Sequence, residues 1–232
     1  MDSSIIEIRS LKNLLGGWEH AVLAVTGNPG SGKSTVSAIC RDMGATVFDA
    51  DRLGHRMLRV GSPVFAHIVE VFGEDILNEE GDIDRNKLGQ IVFQSPEHLP
   101  RLNQIVHPPM LDALQAEIAS YRASETQAPL LVDAALIYEW SIEDWFDLVV
   151  VVTAAPQTRR DRYRKKSDDR TFTKREAAQL PESYKLERAD VIIHNDTSLE
   201  QLRTELTDFV KSVKRKNINH GIKNAEQTKS EQ

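Results

Sequence analysis

A glycine-rich segment is the part of the sequence that most clearly predicts chemistry. Residues 27–34, GNPGSGKS, match the phosphate-binding pattern G-x-x-x-x-G-K-[ST]. In such a loop, backbone N–H groups and the positive end of the next helix face phosphate oxygens, while the lysine reaches the β- and γ-phosphates and the hydroxyl ligates Mg²⁺. An ordinary glycine-rich turn is the alternative, but an apolar strand before the segment and an amphipathic helix after it favour a nucleoside triphosphate site. The predicted binding residues here are Asn28, Pro29, Gly30, Ser31, Gly32, Lys33, Ser34 and Thr35.

Two carboxylates follow the second predicted strand. Asp49 and Asp51 are two residues apart, so they point the same way if the strand continues through them. In small P-loop kinases this strand end faces the acceptor, and a carboxylate there takes the proton from an attacking hydroxyl. A helix N-cap with a solvated charge is the alternative. Beside the P-loop we favour Asp51 as the catalytic residue, with Asp49 as a candidate to hold Mg²⁺ through water.

A third carboxylate, Asp133, ends the strand predicted at 130–132. In P-loop enzymes this position carries the acid that supports the metal, so we predict a metal site formed by Ser34 and Asp133. A purely structural strand-end carboxylate is the alternative.

A charged segment at 158–185 follows the next strand and is rich in arginine and lysine. Phosphoryl transfer needs positive charge near the departing phosphate, which a mobile lid can supply. Most of these cations must still belong to an ordinary solvated helix face. We therefore predict a lid over about 157–187 in which a few of the cations are functional.

The elements that position these residues alternate between strand and helix, which predicts an α/β fold of the three-layer P-loop NTPase type with a five-stranded parallel sheet. We assign the nucleotide-binding core to 21–51 and 129–213, a helical insertion to 52–128, an N-terminal extension to 1–20 and a polar, disordered tail to 214–232. The extension has apolar residues at helical spacing, which predicts a short amphipathic helix. These residues are Ile5, Ile8, Leu11, Leu14 and Leu15.

Composition narrows the class of protein. The 232 residues carry a net charge of −6, which disfavours a protein that coats nucleic acid. There is one cysteine, Cys40, so no internal disulfide can form. The start has no secretory pattern, and no apolar window approaches the length of a membrane span. We expect a cytoplasmic protein without nucleic-acid or membrane partners; the sequence does not distinguish a monomer from a small homo-oligomer.

Several separate segments together resemble the dephospho-CoA kinase family. They are TGNPGSGKS, FDAD at 48–51, FGEDIL at 72–77, GDIDRNKLGQIVF at 81–93, LNQIVHPPM at 102–110, REAAQLP at 175–181 and IIHND at 192–196. The P-loop alone is shared with other small kinases, whereas the insertion segments in this order are more specific. The resemblance covers about residues 22–209.

This resemblance implies a reaction and roles for individual residues. ATP, with Mg²⁺, would phosphorylate the ribose 3′-hydroxyl of 3′-dephospho-CoA to give coenzyme A. Asp51 would be the base, Lys33 the phosphate lysine and Arg162 the lid arginine, while Asn195 would lie near the adenine. The insertion would bind the acceptor. The acceptor-binding residues would be Asp49, Asp51, Asp84, His107 and Glu139.

The sequence departs from the family pattern at a few positions. Ala135-Leu136-Ile137-Tyr138-Glu139 stands where the family usually has Pro-Leu-Leu-Phe-Glu, and Lys166 replaces a second lid arginine. One alternative function is a P-loop kinase for another small acceptor, such as a nucleoside or a sugar. The other is a non-catalytic nucleotide-binding relative or switch, but the sequence has no guanine-reading Asn-Lys-x-Asp motif and keeps both Lys33 and Asp51.

Overall fold

A computed structural model describes residues 4–11, 18–165 and 168–230, with side chains through residue 214. The strands are β1 (Ile6–Ile8), β2 (Val22–Thr26), β3 (Thr46–Asp49), β4 (Leu130–Asp133), β5 (Leu148–Thr153) and β6 (Val191–His194). The helices are α1 (Lys33–Asp42), α2 (Ala50–Met57), α3 (Phe65–Phe72), α4 (Arg85–Val92), α5 (His98–Arg122), α6 (Pro156–Arg164), α7 (Asp169–Ala177), α8 (Glu182–Arg188) and α9 (Leu199–Ser230). Within these ranges, no helix is long and apolar enough to cross a membrane.

The strands form one sheet in the order β1-β6-β5-β2-β4-β3. β2 pairs in parallel with both β4 and β5, and β5 pairs in parallel with β6. Every residue of β2, β4 and β5 is buried, as expected of parallel strands covered on both faces. The predicted α/β fold is confirmed.

The predicted strand count is wrong, because the described part of the chain forms a mixed sheet of six strands. β1 pairs antiparallel with β6, with Ile6 opposite Ile193. Ile5, predicted on a helix, is instead buried next to this strand, and its carbonyl accepts a hydrogen bond from the His194 N–H at 2.8 Å. Backbone N–H and C=O groups of the extension therefore find hydrogen-bond partners along the edge of β6. A short isolated helix is only marginally stable in water and would not hold these groups as firmly. Leu14 and Leu15 lie outside the described residues.

The main core lies between the sheet and the helices α1 and α9. Its buried apolar residues include Val25, Leu131, Val150 and Ile193 from the sheet, Val36, Ile39 and Cys40 from α1, and Leu202 and Leu206 from α9. The helical residues recur at spacings of three and four, so that one face of each helix is apolar. This packing fixes the position of α1, the helix that follows the glycine-rich loop, and therefore the position of its N-terminus.

The chain divides into two compact units, residues 49–124 and the remainder. The 49–124 unit is helical and contains α2 to α5, with α5 contacting α2, α3 and α4. Its buried apolar side chains include Ile68, Ile76, Leu88 and Leu114.

The C-terminal segment differs from its prediction. We expected a disordered tail from residue 214, but α9 continues to Ser230.

Candidate active site

The glycine-rich loop joins the end of β2 to the start of α1. Gly30 has a φ of +79°, and a β-carbon on it would lie 2.2 Å from the backbone oxygen of Arg159. Gly32 has a φ of +99° and immediately precedes α1. Both the backbone conformation and the close approach of α6 therefore require glycine at position 30.

Two side chains from later in the chain hold this loop. The buried Asn195 donates from Nδ2 to the carbonyl of Ser31 at 2.8 Å, and Arg162 donates from Nη1 to the same oxygen at 3.4 Å. Asn195 is itself fixed by its N–H, which donates to the Thr153 carbonyl at 2.7 Å. The structure therefore brings together three of the predicted nucleotide-binding residues, which are distant in sequence.

Lys33 and Asp133 form an ion pair at the base of the loop. Lys33 Nζ lies 3.3 Å from Asp133 Oδ1, and the two side chains are only 12% and 9% exposed. The Ser37 hydroxyl donates to Asp133 Oδ2 at 2.8 Å, a contact that sequence reasoning missed because the phosphate-binding pattern ends at Ser34. Each oxygen of the carboxylate at the end of β4 is thus held by a different side chain of α1.

Ser34 is exposed in the first turn of α1. Hydroxyl and carboxylate oxygens are the hard ligands that Mg²⁺ prefers, and Mg²⁺ usually takes only one or two protein ligands together with substrate phosphates. Ser34 and Asp133 fit such a role. Among the described residues there is no group of three or more histidine, cysteine or acidic side chains that could hold a metal alone.

Two polar atoms of the loop are buried and have no hydrogen-bond partner in the part of the chain that the structure describes. They are Asn28 Oδ1 and Ser31 Oγ. Buried polar atoms are nearly always paired in proteins, so both atoms are suited to meet a bound ligand.

The predicted lid consists of α6, α7 and α8. Arg159 is buried on α6 and bridges to Glu176 of α7 at 2.7 Å and to Glu182 of α8 at 3.7 Å. Arg164 instead pairs with Asp169 at the surface. Lys166 lies outside the described residues.

Glu139, predicted to bind the acceptor, makes protein contacts through one of its oxygens. Its Oε1 accepts hydrogen bonds from Lys185 Nζ and from the Leu180 N–H, both at 2.9 Å. Lys185 is fully buried, and sequence reasoning did not find it because it is one lysine in a highly charged segment. Burial lowers the pKa of Lys185, Glu139 opposes this effect, and the nearby Lys33 adds to it.

The 49–124 unit carries the other predicted acceptor residues. Asp49 and Asp84 cap the N-termini of α2 and α4, since each side chain accepts a backbone N–H bond, from Arg52 and Asn86 respectively at 2.8 Å. Asp51 is exposed in the first turn of α2. His107 lies on α5, and burial lowers its pKa. Acceptor binding by these residues remains a prediction.

One known protein family matches most of the chain. The profile of the family described as dephospho-CoA kinase matches residues 21–201, from the start of β2 into α9. The chain belongs to the dephospho-CoA kinase family. The resemblance inferred from the separate motifs is therefore confirmed.

Individual members of the dephospho-CoA kinase family match over most of their length. The dephospho-CoA kinase of Bacillus cereus is 36% identical over 193 residues, which is 82% of this chain and 96% of the relative. The one from Streptomyces avermitilis is 38% identical over 188 residues, or 80% of this chain and 90% of the relative.

Two solved structures share the fold. TT1252 from Thermus thermophilus superposes with a TM-score of 0.67 at 30% identity and covers 83% of this chain and 97% of its own. The dephospho-CoA kinase from Campylobacter jejuni gives a TM-score of 0.59 at 24% identity, covering 83% and 97%, and supports the fold alone.

Proposed function

We propose that this protein phosphorylates the ribose 3′-hydroxyl of 3′-dephospho-CoA with ATP, giving coenzyme A and ADP. The observation that carries the proposal is the family match over residues 21–201, which spans a complete phosphate-binding loop with its lysine, its strand-end carboxylate and its lid arginine. We place the reaction in the cytoplasm, which the single, buried Cys40 supports.

The loop residues bind and orient the triphosphate. The backbone N–H groups of the loop and the N-terminus of α1 bind the phosphate oxygens, and Lys33, held in place by Asp133, supplies a positive charge beside them. Arg162, which contacts the loop through Ser31, supplies charge from the lid. Fixed charge placed in advance stabilises the transition state without reorganisation at the moment of reaction.

Ser34 and Asp133 would hold Mg²⁺. When bound, the ion would supply positive charge that offsets the negative charge developing on the phosphates.

In the transfer step, the ribose 3′-oxygen attacks the γ-phosphorus while the bond between that phosphorus and the β,γ-bridging oxygen breaks. The γ-phosphoryl group passes to the acceptor and the bridging oxygen leaves with ADP. Asp51 takes the proton of the attacking hydroxyl. Asp49, Asp84, His107 and Glu139 are proposed to contact the acceptor, and Asn195 to lie near the adenine.

The test is an ADP-release assay with ATP and Mg²⁺, run with and without 3′-dephospho-CoA, with the product mass measured for one added phosphate. We expect ADP release to depend on the acceptor and the product to be coenzyme A. Phosphorylation of a nucleoside or a sugar, but not of dephospho-CoA, would support the alternative kinase. ADP release that ignores every acceptor would overturn the proposed transfer.

A further inference from the structure

Lys185 is a charged residue that neither the sequence motifs nor the proposed reaction uses. Its side chain is fully buried, and its ammonium group has three acceptors: Glu139 Oε1 at 2.9 Å, Gln179 Oε1 at 3.2 Å and the carbonyl of Ala135 at 3.3 Å. An ammonium group has three hydrogens, so these contacts use its full donor capacity. A buried charge is costly even when paired, so a lysine held in this way calls for a specific role.

The Ala135 carbonyl connects this lysine to the phosphate-binding loop. It also accepts a hydrogen bond from the Thr26 hydroxyl at 3.2 Å, and Thr26 is the last residue of β2, directly before the loop. Ala135 lies two residues after Asp133. One carbonyl oxygen therefore joins the end of β2, the segment after β4 and helix α8.

Glu139 provides a second connection between Lys185 and the segment after β4. Its Oε1 accepts both the Lys185 ammonium and the Leu180 N–H, so the turn between α7 and α8 is attached to the segment after β4. The Lys185 charge lies close enough to Lys33 for the two to repel each other. Two cations thus lie near the end of β4, Lys33 paired with Asp133 and Lys185 paired with Glu139.

We propose that Lys185 is a positioning residue for phosphoryl transfer. Acting through the Ala135 carbonyl and Glu139, it fixes the segment that follows Asp133, and so keeps the Asp133 carboxylate aligned with Lys33. The inference deepens the proposed kinase function and rests on it. A purely structural ion pair can often be replaced by neutral side chains without loss of stability, which separates the two roles experimentally.

The experiment compares variants of the full chain. Lys185→Met alone leaves the half-buried Glu139 carboxylate without its cation, so we expect it to lose both stability and turnover. The double variant Lys185→Met/Glu139→Gln removes both charges and keeps an acceptor for the Leu180 N–H. We expect it to regain stability toward wild type in urea unfolding, but to keep kcat at least ~10-fold low and to bind ATP more weakly, since the Lys33–Asp133 pair serves both the phosphates and the chemical step. Glu139 is also a proposed acceptor contact, so nucleotide affinity measured without acceptor is the readout that assigns the effect to Lys185.

Two further variants complete the design. Thr26→Val removes the other donor to the Ala135 carbonyl without changing any charge, so it should also lower kcat while the protein stays folded. Lys211→Met makes the same substitution at an exposed lysine of α9 and should leave kcat and stability unchanged. If the double variant does not fold, Thr26→Val still tests whether the Ala135 carbonyl, through which Lys185 is proposed to act, affects kcat.

A second readout is the affinity for a fluorescent ATP analogue in Mg²⁺. Wild-type kcat and nucleotide affinity in the folded double variant, or in Thr26→Val, would overturn the positioning role. If the wild type shows no acceptor-dependent ADP release, the proposed function fails. The role of Lys185 is then tested by nucleotide affinity alone. Weaker binding in a stably folded double variant then supports the role of Lys185, and unchanged binding overturns it.

Discussion

The side-chain amide nitrogen of Asn195 lies 2.1 Å from the point that a β-carbon on Gly32 would occupy, and it donates to the neighbouring Ser31 carbonyl at 2.8 Å. The missing side chain of one residue thus makes room for the hydrogen bond of another that is distant in sequence. This contact attaches the phosphate-binding loop to the end of β6. It also gives a reason for glycine at position 32 that the phosphate-binding motif does not supply, because any larger residue would collide with Asn195.

Substitution of Gly32 by alanine should therefore lower the free energy of unfolding by more than the strain of a positive φ alone would. Gly44 is a matched control, because its φ of +97° is nearly the same as the +99° of Gly32, but nothing lies within 4 Å of a β-carbon there. We expect Gly44→Ala to cost about 1–2 kcal/mol of unfolding free energy without changing ATP binding. Gly32→Ala should cost more and also weaken ATP binding, because Asn195 must move. Urea unfolding and calorimetric titration with ATP measure both effects, and equal behaviour of the two variants would contradict this role of Asn195.

Asp51 is predicted to act on the attacking hydroxyl. Asp51→Asn should leave ATP binding within a few-fold of wild type and lower kcat by ~10²-fold or more, the usual scale for a positioned base. Asp49→Asn is the control, because asparagine caps a helix about as well as aspartate and so preserves the hydrogen bond to the Arg52 N–H. Steady-state kinetics with dephospho-CoA compare the two. A larger loss of kcat in Asp49→Asn would transfer the role of base to Asp49.

Lys33 should be required for both binding and chemistry. Lys33→Ala removes the charge beside the phosphates and leaves the nearly buried Asp133 without its cation. We expect a sharp fall in kcat together with weaker ATP binding. Lys211→Ala, at an exposed position of α9, should change neither. Wild-type kinetics in Lys33→Ala would exclude the phosphate-binding role of the loop.

Cys40 should make stability depend on pH at alkaline values. Burial raises the pKa of its thiol from 9.0 to about 11, so the unfolded chain loses the thiol proton at a lower pH than the folded chain. Above pH 9 the unfolded state therefore binds fewer protons, and stability falls as pH rises toward 11. For one group this slope reaches at most about 1.4 kcal/mol per pH unit.

Cys40→Ala isolates this effect from the other groups that titrate at alkaline pH. The difference in unfolding free energy between wild type and Cys40→Ala should shrink from pH 8 to pH 10.5. A constant difference would mean that the thiol ionises equally in both states. Since Cys40 is the only cysteine, alkylation with a thiol reagent provides a second measurement, and it should require opening of the core.

The sequence was informative where chemistry needs a fixed local pattern. The loop at 27–34 and the strands around it have types and spacing that only a few structures satisfy, and the five core strands were found with ends within about two residues, the usual boundary error. Asp133 lies beside the start of α1 because the carboxyl ends of parallel strands meet at one edge of the sheet, but its ion pair with Lys33 was not predicted.

The contacts that could not be predicted join distant residues or replace one local tendency by another. Ile5 and Ile8 have helical spacing, but pairing with β6 decides their conformation. Lys185 looks like any lysine in a charged segment, because its burial depends on Glu139 and Ala135, which come from another part of the chain. Asp84 lies in a family motif that predicts acceptor binding, whereas its observed hydrogen bonds are those of a helix cap.

The pairing of β1 with β6 also bears on how the chain is made. Residues 6–8 leave the ribosome long before their partners at 191–193 are synthesised. During translation the parallel strands β2, β4 and β5 can associate while β1 has no strand to join. β1 is therefore incorporated later than strands that follow it in the chain, and this edge of the sheet closes only after β6 has been synthesised.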